Sequence, residues 1–275
     1  MGEYQTRSGQ DLAGDVDECR PAPGQCALWW LGQHSFILKL GGAVLYLDPF
    51  LTDLPGRRFP SPIRAGDMAN AALIFGSHDH ADHIDRPVWP AIARTAPRAQ
   101  FVVPDLLREG LARDLGLAAA RLVGLDDGVT VRVGGIEITG VAAAHEFLDP
   151  DPATGRHPHL GFVVRANGCS VYHSGDCCVY EGLQTRLKSL RPDVMLLPIN
   201  GRDARRLKAG CIGNMTYQEA ADLAGAVAPA LAIPAHFDMF EGNTEDPRLF
   251  ADYMAVKYPR LRTIVPEHGR RILWP

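Results

Sequence analysis

Long apolar runs are missing from this sequence. None approaches the roughly 18 residues that a membrane-spanning helix needs, so no membrane association is expected. A basic excess is missing too. With 28 Lys and Arg against 32 Asp and Glu the net charge is -4, which argues against a generic nucleic-acid binder. Cysteine is sparse and unpatterned. The six thiols form no C-x-x-C pair and no zinc-knuckle spacing, and they read as reduced cysteines in a cytoplasm. Residues 1–23 contain no apolar signal-peptide core, in keeping with that cytoplasmic expectation. No short-period repeat and no low-complexity tract is present.

What is there is an ordinary globular composition, 46% hydrophobic and 22% charged, enough to bury a sizeable core over 275 residues. Residues 1–25 read as a polar N-terminal arm and 26–275 as one domain. Strands are predicted at 27–31, 35–40 and 43–47, the last two joined by Gly41-Gly42. A Pro- and Gly-rich loop follows, then a strand at 72–75. Helical character at 86–96 leads to a strand at 101–103 and a helix at 105–115. Two hairpins come next, at 129–141 and at 161–173, the second turning on Asn167-Gly168. Helices at 179–190, 217–227 and 247–256 then alternate with strands at 193–197, 230–234 and 262–265. The helix after Thr216 opens with the capping box Thr216-Tyr217-Gln218-Glu219. Strands first and strand–helix alternation second, twice over, predict two mixed sheets packed face to face with helices outside.

The chemistry concentrates in His78-Asp79-His80-Ala81-Asp82-His83. Three of the ten histidines fall in these six residues, directly after the apolar run Ala72-Leu73-Ile74-Phe75. Three further segments repeat the pattern of an apolar strand followed by a ligand-type residue. They end at His145, Asp176 and His236. Imidazoles and carboxylates without thiolate suit Zn(II) or Mn(II), with Fe(II) behind them. One divalent ion can take His78, His80 and His145, and a second Asp82, His83 and His236, with Asp176 between the two. That leaves positions open for substrate, as a catalytic site requires.

These positions, with Asp48, resemble the five motifs of the metallo-β-lactamase superfamily: Asp48, the H-x-H-x-D-H loop at 78–83, His145, Asp176 and His236. The resemblance runs from Ala27 onward. It implies an α/β fold, the αβ/βα four-layer sandwich, with metal at one edge of the two sheets. It places Asp48 behind the ligands rather than on the metal. A finer resemblance is to the L-ascorbate-6-phosphate lactonase-like branch. Leu28-Trp29-Trp30-Leu31-Gly32, Tyr172-His173-Ser174-Gly175-Asp176 and the stretches 213–216 and 234–238 carry it. It implies Mn(II), a phosphorylated sugar lactone as small-molecule substrate, and is compatible with a homo-oligomer. The chain departs from those lactonases at His145, where they carry a carboxylate-rich segment, and in its shorter 51–70 loop. A full two-ion site is therefore expected, and the substrate inference is weaker.

Metal-assisted hydrolysis follows as the expected activity, on an ester or lactone. Two divalent ions make a shared water nucleophilic near neutral pH, and Asp82 or Asp176 orients its proton. No G-x-S-x-G elbow supplies a rival nucleophile. A phosphodiesterase or nuclease on the same site and a non-catalytic metal-binding protein are the alternatives. An iron redox enzyme of the superfamily would replace the second histidine of the loop by a carboxylate, and His80 argues against it. Around the metal set, His34 is expected to stand behind the ligands or in a plain turn. His173 and His159 are candidates for substrate contact, against structural and loop-polarity readings. Arg202 and Arg205 offer forks that match phosphate geometry, against the reading of a solvated loop. His268 reads as a surface or turn residue, and Trp29 and Trp30 as packing.

Overall fold

The computed structural model describes residues 7–275. Fourteen strands among them form two seven-stranded sheets. The first half of the chain supplies β1 (Cys26–Gly32), β2 (Ser35–Leu40), β3 (Ala43–Leu47), β4 (Ala71–Phe75), β5 (Gln100–Pro104) and β6 (Leu122–Leu125). The second supplies β7 (Thr130–Val133), β8 (Ile136–Ala142), β9 (Leu160–Ala166), β10 (Cys169–His173), β11 (Val194–Pro198), β12 (Leu231–Ala235) and β13 (Arg262–Thr263). β14 (Arg271–Trp274) returns to the first sheet and pairs antiparallel with β1. The sheet orders are β14-β1-β2-β3-β4-β5-β6 and β13-β12-β11-β10-β9-β8-β7.

Each sheet is antiparallel at one side and parallel at the other. β1, β2 and β3 form a meander, and β3 to β6 run parallel. The second sheet repeats this with β7 to β10 antiparallel and β10 to β13 parallel. Tight hairpins suffice for the antiparallel pairs, whereas parallel neighbours need crossovers. The crossovers supply the helices α2 (Trp89–Thr95), α3 (Asp105–Leu115), α4 (Leu183–Leu190) and α6 (Tyr217–Val227), with α7 (Pro247–Lys257) after β12.

Alternation along the strands makes the layers. On β1, Cys26, Leu28 and Trp30 join the core shared with the second sheet, while Ala27, Trp29 and Leu31 face the first sheet's own helices. Leu73 and Phe75 divide from Ile74 in the same way on β4. A sheet buried on both faces needs apolar residues at every position, and β1, β2, β10, β11 and β12 are buried throughout. The four-layer sandwich expected from the sequence is the observed architecture.

The N-terminal segment corrects the sequence reading. Residues 1–6 of the expected arm lie outside the described residues. Beyond them the segment folds into α1 (Gly9–Glu18), whose Leu12 and Val16 are wholly buried on the outer face of the first sheet. Asp15 accepts from Trp29 Nε1 at 2.8 Å. The buried Lys39 ammonium on β2 donates to the carbonyls of Val16 and Asp17 at the helix C-terminus, where a cation suits both the open carbonyls and the helix dipole. The helix was missed because its apolar stripe is only those two residues, four apart, in a segment that also holds Gly9 and Gly14.

Candidate metal centre

The ligand-type residues lie just past the C-terminal ends of strands. Asp48 follows β3, Ser77 and His78 follow β4, His145 follows β8, Asp176 follows β10, and His236 follows β12. Gly175 shows how two of these loops come together. It has φ +58°, and a Cβ there would sit 2.7 Å from Leu160 O and 2.8 Å from Ser77 Cβ. The glycine lets the Asp176 loop lie directly on the His78 loop. Several other site loops hold non-glycine residues in the left-handed region: Gln33 (φ 52°), Asp48 (43°), Glu146 (76°), His236 (58°) and Asp238 (64°). Such backbone costs on the order of 1–3 kcal/mol per residue and concentrates at functional sites.

The structure gathers the predicted donors into two groups. His78, His80 and His145 offer ring nitrogens within 4.8 Å of one another, and so do the ligand atoms of Asp82, His83 and His236. A third group, His78, His83 and Asp176, links them. Asp176 Oδ1 is 3.2 Å from His83 Nε2 and 3.1 Å from His236 Nε2, and its Oδ2 is 4.0 Å from His145 Nε2. His78 Nε2 lies 3.0 Å from His80 Nδ1. Asp176, His78, His83, His145 and His236 are buried, Asp82 is half-buried and His80 exposed.

The polar atoms at the centre fit a cation. His83 Nε2, Asp176 Oδ1 and both ring nitrogens of His145 are buried without a hydrogen-bond partner among the described residues. His83 Nε2 and Asp176 Oδ1 are near neighbours, yet lack the alignment of a hydrogen bond. Burying so many unpartnered polar atoms is costly, and a divalent ion held by His83 Nε2, Asp176 Oδ1 and one His145 nitrogen removes much of that cost. Burial keeps the neighbouring imidazoles neutral and ready to coordinate. It pushes the His78 imidazolium well below its usual range and His145 down to about 4. His83 differs. Burial opposes its charge, but Asp176, Asp82 and Asp48 together hold its pKa well above the ordinary histidine value. Asp176 is held well below the carboxylate range, against its own burial, by His236 and His83.

Asp48 stands behind the ligands. Its carboxylate accepts from Ser77 N at 2.8 Å and Ser77 Oγ at 2.6 Å, and its Oδ2 is 2.6 Å from His83 Nδ1. His34 is wholly buried, its ring centroid 6.2 Å from His83 and 6.0 Å from His236. Sequence reasoning missed Ser77, whose hydroxyl also reaches His78 Nδ1 at 3.0 Å. It missed Gln33 as well, although Gln33 adjoins His34 in the β1–β2 turn. Gln33 Nε2 donates to Asp82 Oδ2 at 3.0 Å and lies 3.3 Å from His236 Nε2. An amide is easily passed over beside a histidine.

A family model described as a β-lactamase superfamily domain matches residues 45–237, well over half of the chain. A UPF0173 metal-dependent hydrolase of Archaeoglobus fulgidus is 30% identical over 243 residues, which are 87% of this chain and 95% of that protein. The chain belongs to the metallo-β-lactamase superfamily. It groups there with metal-dependent hydrolases: another, from Caldivirga maquilingensis, is 25% identical over 88% of this chain and 95% of the relative. Among solved structures, the metallo hydrolase Igni18 of Ignicoccus hospitalis superposes with a TM-score of 0.72 at 22% identity, covering 91% of this chain and 99% of that one. An isothiocyanate hydrolase from Delia radicum gut bacteria gives 0.68 at 16%, covering 90% and 98%. At these identities the superpositions speak for the superfamily fold alone.

Within this superfamily member the expected substrate contacts fare unevenly. His159 stands at the rim, its ring 5.2 Å from His78 and 5.3 Å from His145, with Nδ1 3.2 Å from Asp149. The expectation for His173 is corrected. It is wholly buried, its Nε2 donating to His34 O at 2.9 Å and its Nδ1 accepting from Gly175 N at 3.2 Å, so neither nitrogen faces a substrate. Arg202 is corrected too. Its guanidinium forks onto Glu219 at 2.6 and 2.7 Å and reaches Asn214 O, so it secures the capping box of α6 instead of offering a phosphate clamp. Arg205 is exposed on the short α5 (Ala204–Lys208). His268, expected at the surface or in a turn, lies in the turn closed by Arg270 N on Glu267 O and stacks half-buried on Trp30 at 4.3 Å.

Proposed function

We propose that this protein is a hydrolase that holds two divalent ions, Mn(II) or Zn(II), and cleaves a carboxylic ester or lactone by attack of water. One observation carries the reading. Two donor triads, His78/His80/His145 and Asp82/His83/His236, are each drawn within 4.8 Å, and the buried Asp176 reaches toward both.

When bound, such ions bring the pKa of water toward neutrality and polarise the electrophile. The chain's own side chains supply the rest. Asp48 and Ser77 lock the His83 ring. Asp176 sits deep, its side chain 5% exposed, whereas Asp82 is 21% exposed. Asp82 is therefore the carboxylate placed to take the proton of the attacking water. His159, oriented by Asp149, stands where it can donate to a substrate oxygen. The scissile bond is the core of this reading and a phosphate on the substrate is not, since Arg202 is committed to Glu219.

The test uses metal-free protein reloaded with Mn(II) or Zn(II). The substrates are an unphosphorylated lactone, a phosphosugar lactone and bis-p-nitrophenyl phosphate. Turnover of a lactone that EDTA abolishes is the expected result. Turnover of the diester alone replaces the reading by a phosphodiesterase. A fully loaded chain inert toward all three points to a binding protein without catalysis.

A further inference from the structure

We propose that Gln33 is a fifth protein donor to the cation position formed by Asp82, His83, His236 and Asp176. This rests on the two-ion reading above and adds a residue to it. Gln33 lies in the turn between β1 and β2 and is wholly buried. Its backbone is clamped from two sides: the carbonyl accepts from His236 N at 2.8 Å and from Trp30 Nε1 at 3.0 Å. The residue is held in the left-handed region at φ 52°, as are Asp48 and His236.

The tip of the side chain has the spacing of a ligand. Donors on adjacent vertices around a cation with bonds of about 2.1 Å lie roughly 3.0 Å apart in an octahedron and about 3.4 Å apart in a tetrahedron. The terminal nitrogen of Gln33 lies 3.0 Å from Asp82 Oδ2 and 3.3 Å from His236 Nε2. Asp176 Oδ1 keeps the same spacing, 3.1 Å from His236 Nε2 and 3.2 Å from His83 Nε2. The other amide atom, Gln33 Oε1, is buried with no hydrogen-bond partner among the described residues.

The two ends of an amide have nearly the same shape, and their environment decides which one faces a given group. Facing a carboxylate alone, the NH2 end turns inward and donates to Asp82. Facing a cation, that end is repelled and the oxygen is attracted. A half-turn about the last side-chain torsion exchanges them, and the lone pairs of Oε1 then enter the coordination sphere. The position thereby gains five protein donors, against four for His78, His80, His145 and Asp176. Five donors with an oxygen majority suit a six-coordinate ion such as Mn(II) better than four-coordinate Zn(II), so the two positions differ in metal preference.

The experiment titrates metal-free full-length protein with Mn(II), following the electron paramagnetic resonance signal of the free ion, and repeats the titration with Zn(II) against a chelator. Wild type, Gln33→Leu and Gln33→Glu are compared. Wild type is expected to bind two Mn(II). Gln33→Leu should keep one ion at wild-type affinity and bind the other at least tenfold more weakly, with a smaller loss for Zn(II). Gln33→Glu retains an oxygen donor and should bind the second Mn(II) at least as tightly as wild type. Two unchanged Mn(II) affinities in Gln33→Leu overturn the inference while leaving the two-ion reading intact. If that variant does not fold, a weakened second Mn(II) in Gln33→Glu overturns it. Fewer than two ions in wild type overturns the two-ion reading, and this inference with it.

Discussion

Asp48 Oδ2 sits 2.6 Å from His83 Nδ1, with both side chains wholly buried. This contact fixes which ring nitrogen of His83 is committed to the protein and leaves Nε2 facing Asp82 and Asp176. Ser77 completes the arrangement by giving Asp48 both its N–H and its hydroxyl. The ligand loop after β4 is thus tied to the strand beside it, and the histidine is oriented before any ion arrives.

Removing the carboxylate should therefore act through the metal. Partners that orient a ligand imidazole typically contribute 10–100-fold to metal affinity. Asp48→Asn is expected to weaken metal binding by about that factor and turnover with it. Asp48→Ala also strands the N–H of Ser77 and should lower stability by about 1–3 kcal/mol. Chelator competition and urea unfolding measure the two effects. Unchanged affinity in both variants would mean that the contact does not orient the ligand.

His80 offers a cleaner cut because it is exposed and anchors little of the core. His80→Ala should fold as wild type does, lose an ion from the His78/His80/His145 group and reduce turnover by 100-fold or more, on the order of 3 kcal/mol in barrier. His236→Ala should empty the other group. Metal analysis of the purified variants, with circular dichroism as the fold check, distinguishes loss of an ion from loss of structure.

Much of this site was legible because its grammar is local. A strand followed at once by a ligand-type residue can be read at 72–78, 136–145, 170–176 and 231–236, and all four hits converge. The sheets were legible for a related reason: continuous apolar runs mark strands buried on both faces. What escaped depends on distant partners. β14, residues 271–274, is a strand because β1 offers it an edge. β6, Leu122–Leu125, has a glycine in its four residues and forms because β5 lies beside it. Arg202 looked like an anion fork until the fold brought Glu219 to it, and Gln33 meets Asp82 and His236 only when the two sheets close.

Acid should loosen the metal-free protein before it reaches the carboxylate range. Burial holds His34 and His78 well below the ordinary histidine value and His145 at about 4. These groups bind fewer protons folded than unfolded. Their effect is therefore absent above about pH 6.5, and stability falls as the pH drops from there toward 4. His83 works the other way: raised by Asp176, Asp82 and Asp48 against its burial, it adds stability below about pH 6.5 that is lost as pH rises through its folded value. Burial depresses His80, His173 and His268 as well, so six depressed imidazoles oppose one raised, and the melting temperature in EDTA should fall between pH 7 and pH 5. Ions added at pH 7 should raise it, and that gain should shrink at pH 5, where protons compete for the imidazoles. A flat profile in EDTA would show that the imidazoles titrate as if solvated.

The helix α1 should behave as part of the core. Leu12 is wholly buried against the outer face of the first sheet, and truncating such a leucine costs about 2–5 kcal/mol. Leu12→Ala is expected to lower the urea midpoint by a corresponding amount without changing metal content. A loss under 0.5 kcal/mol would restore the reading of this segment as a polar arm outside the domain.

Arg202 should matter to the scaffold and not to the substrate. Its fork holds Glu219, whose carboxylate also accepts from Thr216 N at 2.9 Å to cap α6. Arg202→Gln loses the bidentate pair but keeps a donor for Asn214 O. The expected result is a modest loss of stability, about 1 kcal/mol because the pair is partly exposed, with the KM ratio of a phosphorylated to an unphosphorylated lactone unchanged. A tenfold rise of that ratio in the variant would mean that Arg202 leaves Glu219 to bind phosphate, and the phosphosugar reading would regain its anion site.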